Sequence, residues 1–507
     1  MTWILSLVFA IFSVSNLLIY SMNGIVPGAV AILAGAVLAG LVMTCIARAG
    51  TGLPAPEPLG AGTAWLIAAL AAAVVLASGQ AGHFYVNHDW QIRLPLLRDL
   101  ANSAWPLGYS VDGVHHVLRA PLGMYALPAL LGDVAGLPTS RAALALQNAA
   151  VLALGLGLVA LIGRTGRERG VLIAVVLAFS GMDALGQTIV NLEKGGPFRF
   201  DHLEWWAGLQ FSSTVTQLFW VPHHGLPGLI AAALYVLWLR DRLPAAALVA
   251  FVPLMAFWSP LAFLGSLPFA VHAMVRTAMD LPRLPWTVLA GAVASLAAIY
   301  AIAFLQAGTD NVHFHVGFVR SPTSTDRWPL FRYAAFLALE VLAFLAAVAM
   351  ARSWRPAPPT AFVIVVAVLL ACPVAWIGQG EDFVMRVSIP ALYVLAILVA
   401  QVLAGAPAGP PARLLRPART LAVTALAIGA ITPLTEIRRA VTRPLGTVSA
   451  ACTFVDAWKD SEWPMSQLAT YLADETRFPA ALRPNVATRL GSAVPPRPCM
   501  EGSWRRS

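Results

Sequence analysis

Apolar residues in this chain come in unbroken blocks rather than in narrow stripes. Uncharged stretches near the length needed to cross about 30 Å of hydrocarbon recur from end to end. They lie near 3–20, 26–47, 62–80, 142–163, 171–188, 225–239, 243–258, 261–275, 285–305, 333–351, 360–378, 389–405 and 419–434. The pattern predicts an all-α, polytopic membrane protein of about thirteen transmembrane helices. Its most irregular part is 243–275, cut by Pro244, Pro253, Pro260 and Pro268, where one distorted span is the alternative to two. The organisation expected is an N-terminal hairpin over 1–61, a membrane core over 62–434 and a small polar tail over 435–507.

Arginine orients the threading. Arg48, Arg164/Arg167/Arg169, Arg240/Arg242, Arg276/Arg283, Arg352/Arg355 and Arg413/Arg416/Arg419 fall in alternate short connections. Those connections are therefore expected to face the cytoplasm, with the N-terminus inside. The long connections 81–141, 189–224, 306–332 and 379–388, and the tail, then share the extracytoplasmic side. Nine of the ten histidines lie in these long connections, His272 being the exception. The short connections are equally wet and hold none, so a single polar chamber on the outer face is the economical reading.

Composition sharpens this. Charged residues make up 11% of the chain, against about 25% in an average protein, and the apolar set reaches 59%. Soluble enzymes, disordered chains and disulfide scaffolds are excluded. The net charge of +9 comes almost wholly from arginine, Lys194 and Lys459 being the only lysines. Arginine at helix ends accounts for it, and no basic stripe with exposed aromatics points to nucleic acid. Met1-Thr2-Trp3-Ile4 lacks the cationic start of a cleaved signal and reads as part of a retained first span. Cys45 and Cys372 fall in apolar blocks, whereas Cys452 and Cys499 share the tail and are free to pair in an oxidising compartment.

The chemistry-bearing residues sit next to spans. Directly after span 62–80 come His88-Asp89-Trp90-Gln91-Ile92-Arg93, and later Ala120-Pro121-Leu122-Gly123-Met124-Tyr125, which opens a short apolar segment broken by Pro128. That segment is too interrupted to span and is expected at the interface. Glu204, Trp205 and Trp206 precede the pair His223-His224, which opens a span where free backbone N–H groups and the helix dipole favour an anion. A metal is the alternative for the two imidazoles, without a supporting HxxxH spacing. His313 and His315 lie in 306–332, whose polar make-up suits a loop that closes over a ligand and equally an ordinary solvated loop, and Glu381-Asp382-Phe383-Val384-Met385-Arg386 fixes an arginine at the membrane surface. Local pairs, Asp89 with Arg93 and Arg386 with Glu381 or Asp382, are the simpler readings of those charges.

This order of an acidic residue after an early span, then Pro121-Leu122-Gly123-Met124-Tyr125, Gly132-Asp133 and Arg141, then a span ending Gly163-Arg164-Thr165-Gly166-Arg167, resembles the GT-C class of polytopic glycosyltransferases. That class includes the protein O-mannosyltransferases and the lipid A aminoarabinose transferases. The likeness covers about residues 62–190, the rest matching in hydropathy pattern alone. It departs in having no acidic neighbour beside Asp89, no histidine before Pro121, and an extra hairpin ahead of the core. The resemblance implies a GT-C-like core with interfacial helices in the first large loop. It also implies transfer of a sugar from a polyprenyl-phosphate donor to a glycan, lipid or protein acceptor of the cell envelope, at the outer face of the cytoplasmic membrane.

Under that resemblance Asp89 is the expected catalytic base. Arg386, with His223 and His224, is the expected donor-phosphate site, and His88, Arg93, Glu204, His313 and His315 are expected to line the substrate chamber. No cofactor is called for with certainty; a divalent cation stays open. No Walker loop or strand-borne glycine fingerprint is present to hold a nucleotide. The rival expectation is a transporter or flippase for an envelope lipid or polysaccharide. It calls for ionisable residues at mid-membrane, yet Asp183 and Glu340 are nearly the only acids within the spans.

Overall fold

The computed structural model describes every residue except 196–201, 310, 311, 313, 319–327, 353–358, 378–380, 406–411, 450, 462, 492–498 and 502–507. Each apolar block is helical over most of its length. Seven helices are long and apolar enough to cross a membrane: Thr2–Met22, Gly28–Ala49, Leu137–Ala160, Gly166–Glu193, Leu284–Gln306, Pro329–Ala351 and Arg413–Thr442. Others are shorter, among them Ala61–Ala77, Ala245–Leu254 and Ile389–Ala404. The protein is thus a largely helical, multi-pass membrane protein in which, among the described residues, seven helices rather than thirteen are long and apolar enough to cross a bilayer. Proline explains part of the shortfall. The helix Ala245–Leu254 runs out just past Pro253, and the block expected over 360–378 stops at Val374 and continues as the strand Ala375–Ile377, paired with Phe314–Val316.

Burial follows the hydrophobic pattern. Pro222–Leu239 and Ile389–Ala404 are apolar all round and lie at the centre, packed on each other and covered on every side. Peripheral helices instead turn Leu33, Val37, Leu41, Leu296 and Ile299 outward, the surface a lipid solvent would cover. In the N-terminal hairpin Gly35 lets two helices meet backbone to backbone, since a Cβ there would lie 2.7 Å from the Cα of Val14.

The helix Ala61–Ala77 separates two polar ends. At one, Arg169 donates to the carbonyls of Glu57 and Pro58, and Arg242 donates to that of Leu161, so the arginine-rich turns gather together. At the other, the first large loop folds into the helix His88–Asn102, a hairpin (Leu107–Val111 and Val114–Leu118) and the helix Gly123–Ala135. The hairpin turns at Asp112-Gly113 with φ of 51° and 83°, the positive pair a tight two-residue turn requires.

The tail does more than cap. Its strands Leu472–Asp474 and Thr488–Gly491 flank that hairpin, antiparallel on one side and parallel on the other, giving a single four-stranded sheet. Thr453 opens the tail helix Phe454–Asp460 with a reciprocal capping box to Asp456. A Cys452–Cys499 disulfide closes the segment. Residues more than 350 positions apart therefore form one layer.

Candidate active site

The helix His88–Asn102 starts where it does because Asn87 accepts a hydrogen bond from the Trp90 amide at 3.1 Å. The same Asn87 side chain and the Trp90 indole N–H donate to the carbonyl of Phe219, at 3.0 and 2.7 Å. Arg93 donates to the next carbonyl, that of Trp220. Three side chains of one helix start thus satisfy the frayed carboxyl end of the helix Thr214–Trp220, and this clamp carries His223 to the mouth of the first loop.

Asp89, in the first turn, accepts from Arg93 at 2.7 Å. Burial draws the Arg93 guanidinium downward in pKa, but Asp89, Tyr125, Tyr471 and Asp382 push it up more strongly. On a separate short helix, Asp382–Val387, Arg386 pairs with Asp382 at 3.0 Å. Both local pairs foreseen as the simpler reading are therefore present, and both face the same space. Asp89, Arg93, His223, Asp382 and Arg386 line one open cleft, floored by Pro121, Leu122 and Tyr125.

The opposite wall comes from the tail: Phe454, Trp458, Trp463, Gln467, Thr470 and Tyr471. Arg119 pins it. Its backbone N–H donates to the Tyr471 carbonyl at 2.7 Å, and its guanidinium donates to Ala469 and Leu305 at 2.8 and 2.7 Å. Burial pushes the Arg119 pKa down to about 10. Burial likewise raises the Tyr471 hydroxyl, while Arg93 draws it the other way.

Of the residues expected here, Asp89, Arg93, His223 and Arg386 meet in the cleft. His224 is not part of the lining: its ring centroid lies 3.9 Å from that of His223 with the two planes tilted by 40°, and its Nδ1 bonds Ser259 Oγ at 2.6 Å. The Nδ1 of His223 is buried with no partner among the described residues. His88 opens the helix beside Asp89 and is not part of the lining. His315 is stacked on Trp376 within the two-stranded sheet, and His313 lies outside the described residues.

Glu204 is a correction. It is held inside the protein, accepting from the Ser213 amide at 2.8 Å, Thr216 Oγ1 at 2.7 Å and Gln210 Nε2, because the turn after Leu203 folds back on the cap of Thr214–Trp220. Burial, and then the nearby Asp183 charge, raise its pKa well above the usual carboxylate range. The cleft's Tyr125, Asp382 and entire tail wall are what the expected site left out. Only the aromatic density of Phe454, Trp458, Trp463 and Tyr471 in an otherwise polar tail signalled them.

A second polar group lies within the helices. The helix Gly166–Glu193 is interrupted over Phe179–Met182, and the Met182 amide donates to Leu339 at the edge of a π-turn, Ala338–Leu342. There Asp183 accepts from Ser180 and Thr432 at 3.0 and 2.9 Å, and Glu340 accepts from the Trp206 indole at 3.0 Å.

Among the described residues no three of His, Cys, Asp and Glu are grouped to hold a metal ion. No family model, no curated protein and no solved structure matches this chain.

Proposed function

We propose that the protein is a membrane glycosyltransferase with a GT-C-like core, moving a sugar from a polyprenyl-phosphate donor to a cell-envelope acceptor at the extracytoplasmic face. The observation that carries this is the meeting of Asp89, Arg93, His223 and Arg386, drawn from three distant segments, in one cleft roofed by the tail. The Cys452–Cys499 bond supports an oxidising compartment for that end of the molecule. Sequence spans too short to cross unaided, such as Ala245–Leu254, are counted in this reading as parts of a thirteen-span bundle.

The chemistry asked of the cleft is a single displacement. The acceptor oxygen attacks the anomeric carbon while its proton passes to the Asp89 carboxylate. The bond from that carbon to the phosphate oxygen breaks, and polyprenyl phosphate leaves carrying the negative charge. Arg386 and Arg93 present guanidinium forks to the departing phosphate, and His223 offers the Nδ1 that has no partner among the described residues. The test is transfer by purified protein from lipid-linked sugars. Asp89→Asn and Arg386→Ala should each abolish most turnover with the fold intact, and full activity in both would sink the site.

One observation favours a transporter instead: Asp183 and Glu340, acids buried at a helix break, the kind of place where membrane carriers bind ions. Lipid-linked sugar crossing proteoliposomes without transfer, and lost in Asp183→Asn, would establish that reading.

A further inference from the structure

The two walls of the cleft differ in chemistry. The membrane-core wall holds two carboxylates, two guanidiniums and an imidazole: Asp89, Asp382, Arg93, Arg386 and His223. The tail wall is made of Phe454, Trp458, Trp463, Gln467, Thr470 and Tyr471, none of them charged. Charges nearby are turned elsewhere. Lys459 reaches Asp112 at 2.9 Å, and Asp460 accepts from the Cys499 amide at 2.9 Å; Glu462 lies outside the described residues.

The tail wall also keeps unused hydrogen-bonding groups. Trp458 spends its indole N–H on the Pro464 carbonyl at 3.3 Å, and Thr470 Oγ1 donates to the Gln467 carbonyl at 2.7 Å. The Gln467 backbone N–H donates to the Pro464 carbonyl at 3.0 Å, but neither the Gln467 side-chain carboxamide nor the Tyr471 hydroxyl has a hydrogen-bond partner among the described residues. The aromatic rings form a connected cluster, Trp458 lying 5.3 Å from Tyr471 and 6.0 Å from Phe454, with Trp463 only partly buried beside them.

Resting on the reading of the cleft as a glycosyl-transfer site, we infer that the tail wall is the sugar subsite and that it takes an uncharged pyranose. A pyranose ring has an apolar C–H face that packs on an indole and a rim of hydroxyls that need neutral donors and acceptors. Phosphate meets the charged wall, and the sugar meets Trp463, with Trp458 and Phe454 buried behind it, and the free groups of Gln467 and Tyr471. A uronate or an amino sugar would bury its charge against this wall without a counter-ion among the wall's described residues, at a cost the neutral sugar does not incur.

The test separates sugar from phosphate. Full-length protein in detergent is titrated, by tryptophan fluorescence, with farnesyl phosphate and with its phosphodiesters to a neutral hexose, a hexuronate and a 4-aminopentose. The neutral hexose should bind about tenfold tighter than farnesyl phosphate itself, and the two charged sugars should gain nothing. Trp463→Ala and Gln467→Ala should remove the gain and leave farnesyl phosphate affinity unchanged. A bare phosphate lipid that binds through Arg386 with no gain from any sugar overturns the subsite alone. A gain as large for the uronate or the aminopentose overturns its neutrality. Absence of binding by farnesyl phosphate and by every conjugate overturns the proposed function itself.

Discussion

At Asp89 two demands meet. Under the proposed function the carboxylate accepts a proton from a hydroxyl, yet Arg93, 2.7 Å away, already occupies one of its oxygens. Asp89→Asn keeps the shape and removes the basicity, so turnover should fall about 10²- to 10⁴-fold with the melting temperature unchanged; kinetics on the purified variant checks it. These positions were readable because His223 and Arg386 stand two and three residues ahead of an apolar block and Asp89 nine residues past one, where a side chain's height is constrained before any packing is known. Glu204 was not readable in the same way. Its position depends on Ser213, Thr216 and Gln210 folding back around it, a short-range contact that no periodicity announces. Its pKa, raised first by burial and then by Asp183, sets a sign for stability. The unfolded chain loses this proton near about pH 4.3 and the folded chain only at higher pH. The stabilisation is thus complete below the unfolded pKa and is lost as pH rises through the folded one. Melting temperature should decline across that window in the wild type. Glu204→Gln should flatten the decline, and an unchanged slope would refute the assignment.

Helices and strands differ in how well the chain declares them. Long apolar blocks such as Leu284–Gln306 need nothing but their own length. The outer layer is built from strands of three to five residues, too short for alternation to register, and two of them pair across the whole chain. One local cue was present, Asp112-Gly113 between Val111 and Val114, a dipeptide that favours the two-residue hairpin turn. The helix Gly123–Ala135 shows how an interfacial element is seated. Its first residue donates to the Phe257 carbonyl at 3.1 Å, and a Cβ at Gly123 would be driven into the Trp258 ring. Since Trp258 is fully buried, it has nowhere to retreat. Gly123→Ala should therefore destabilise the protein by about 1–3 kcal/mol and displace Tyr125 from the cleft floor. A thermal shift with reduced affinity for a lipid phosphate is the expected pairing, and a variant as stable as wild type would show that the helix has another seat.

For the molecule as a whole, the cleft lies between the tail and the first loop, with His223, Asp382 and Arg386 from two other segments completing its charged wall. The four-stranded sheet joins Leu107–Val111 to Thr488–Gly491 and Val114–Leu118 to Leu472–Asp474. Arg119 fastens the turn at Ala469 and Tyr471, and Phe454 reaches back to Tyr109, the two rings 5.7 Å apart. Asp99 ties the same joint, accepting from the Phe454 amide at 2.7 Å and the Tyr109 hydroxyl at 3.0 Å. The disulfide closes a sequence separation of 47 residues within this tail, and removing such a bond typically costs about 2–5 kcal/mol in a small extramembrane unit. The membrane helices do not depend on it, being held by their own packing. Replacing Cys452 and Cys499 by serine should then leave helical content intact, expose the tail to protease near Phe454–Asp460, and lower turnover by opening one wall of the cleft. Protease sensitivity without loss of turnover would mean that the charged wall works alone. Loss of the membrane fold itself would mean that tail and core are a single cooperative unit rather than two parts meeting at a site.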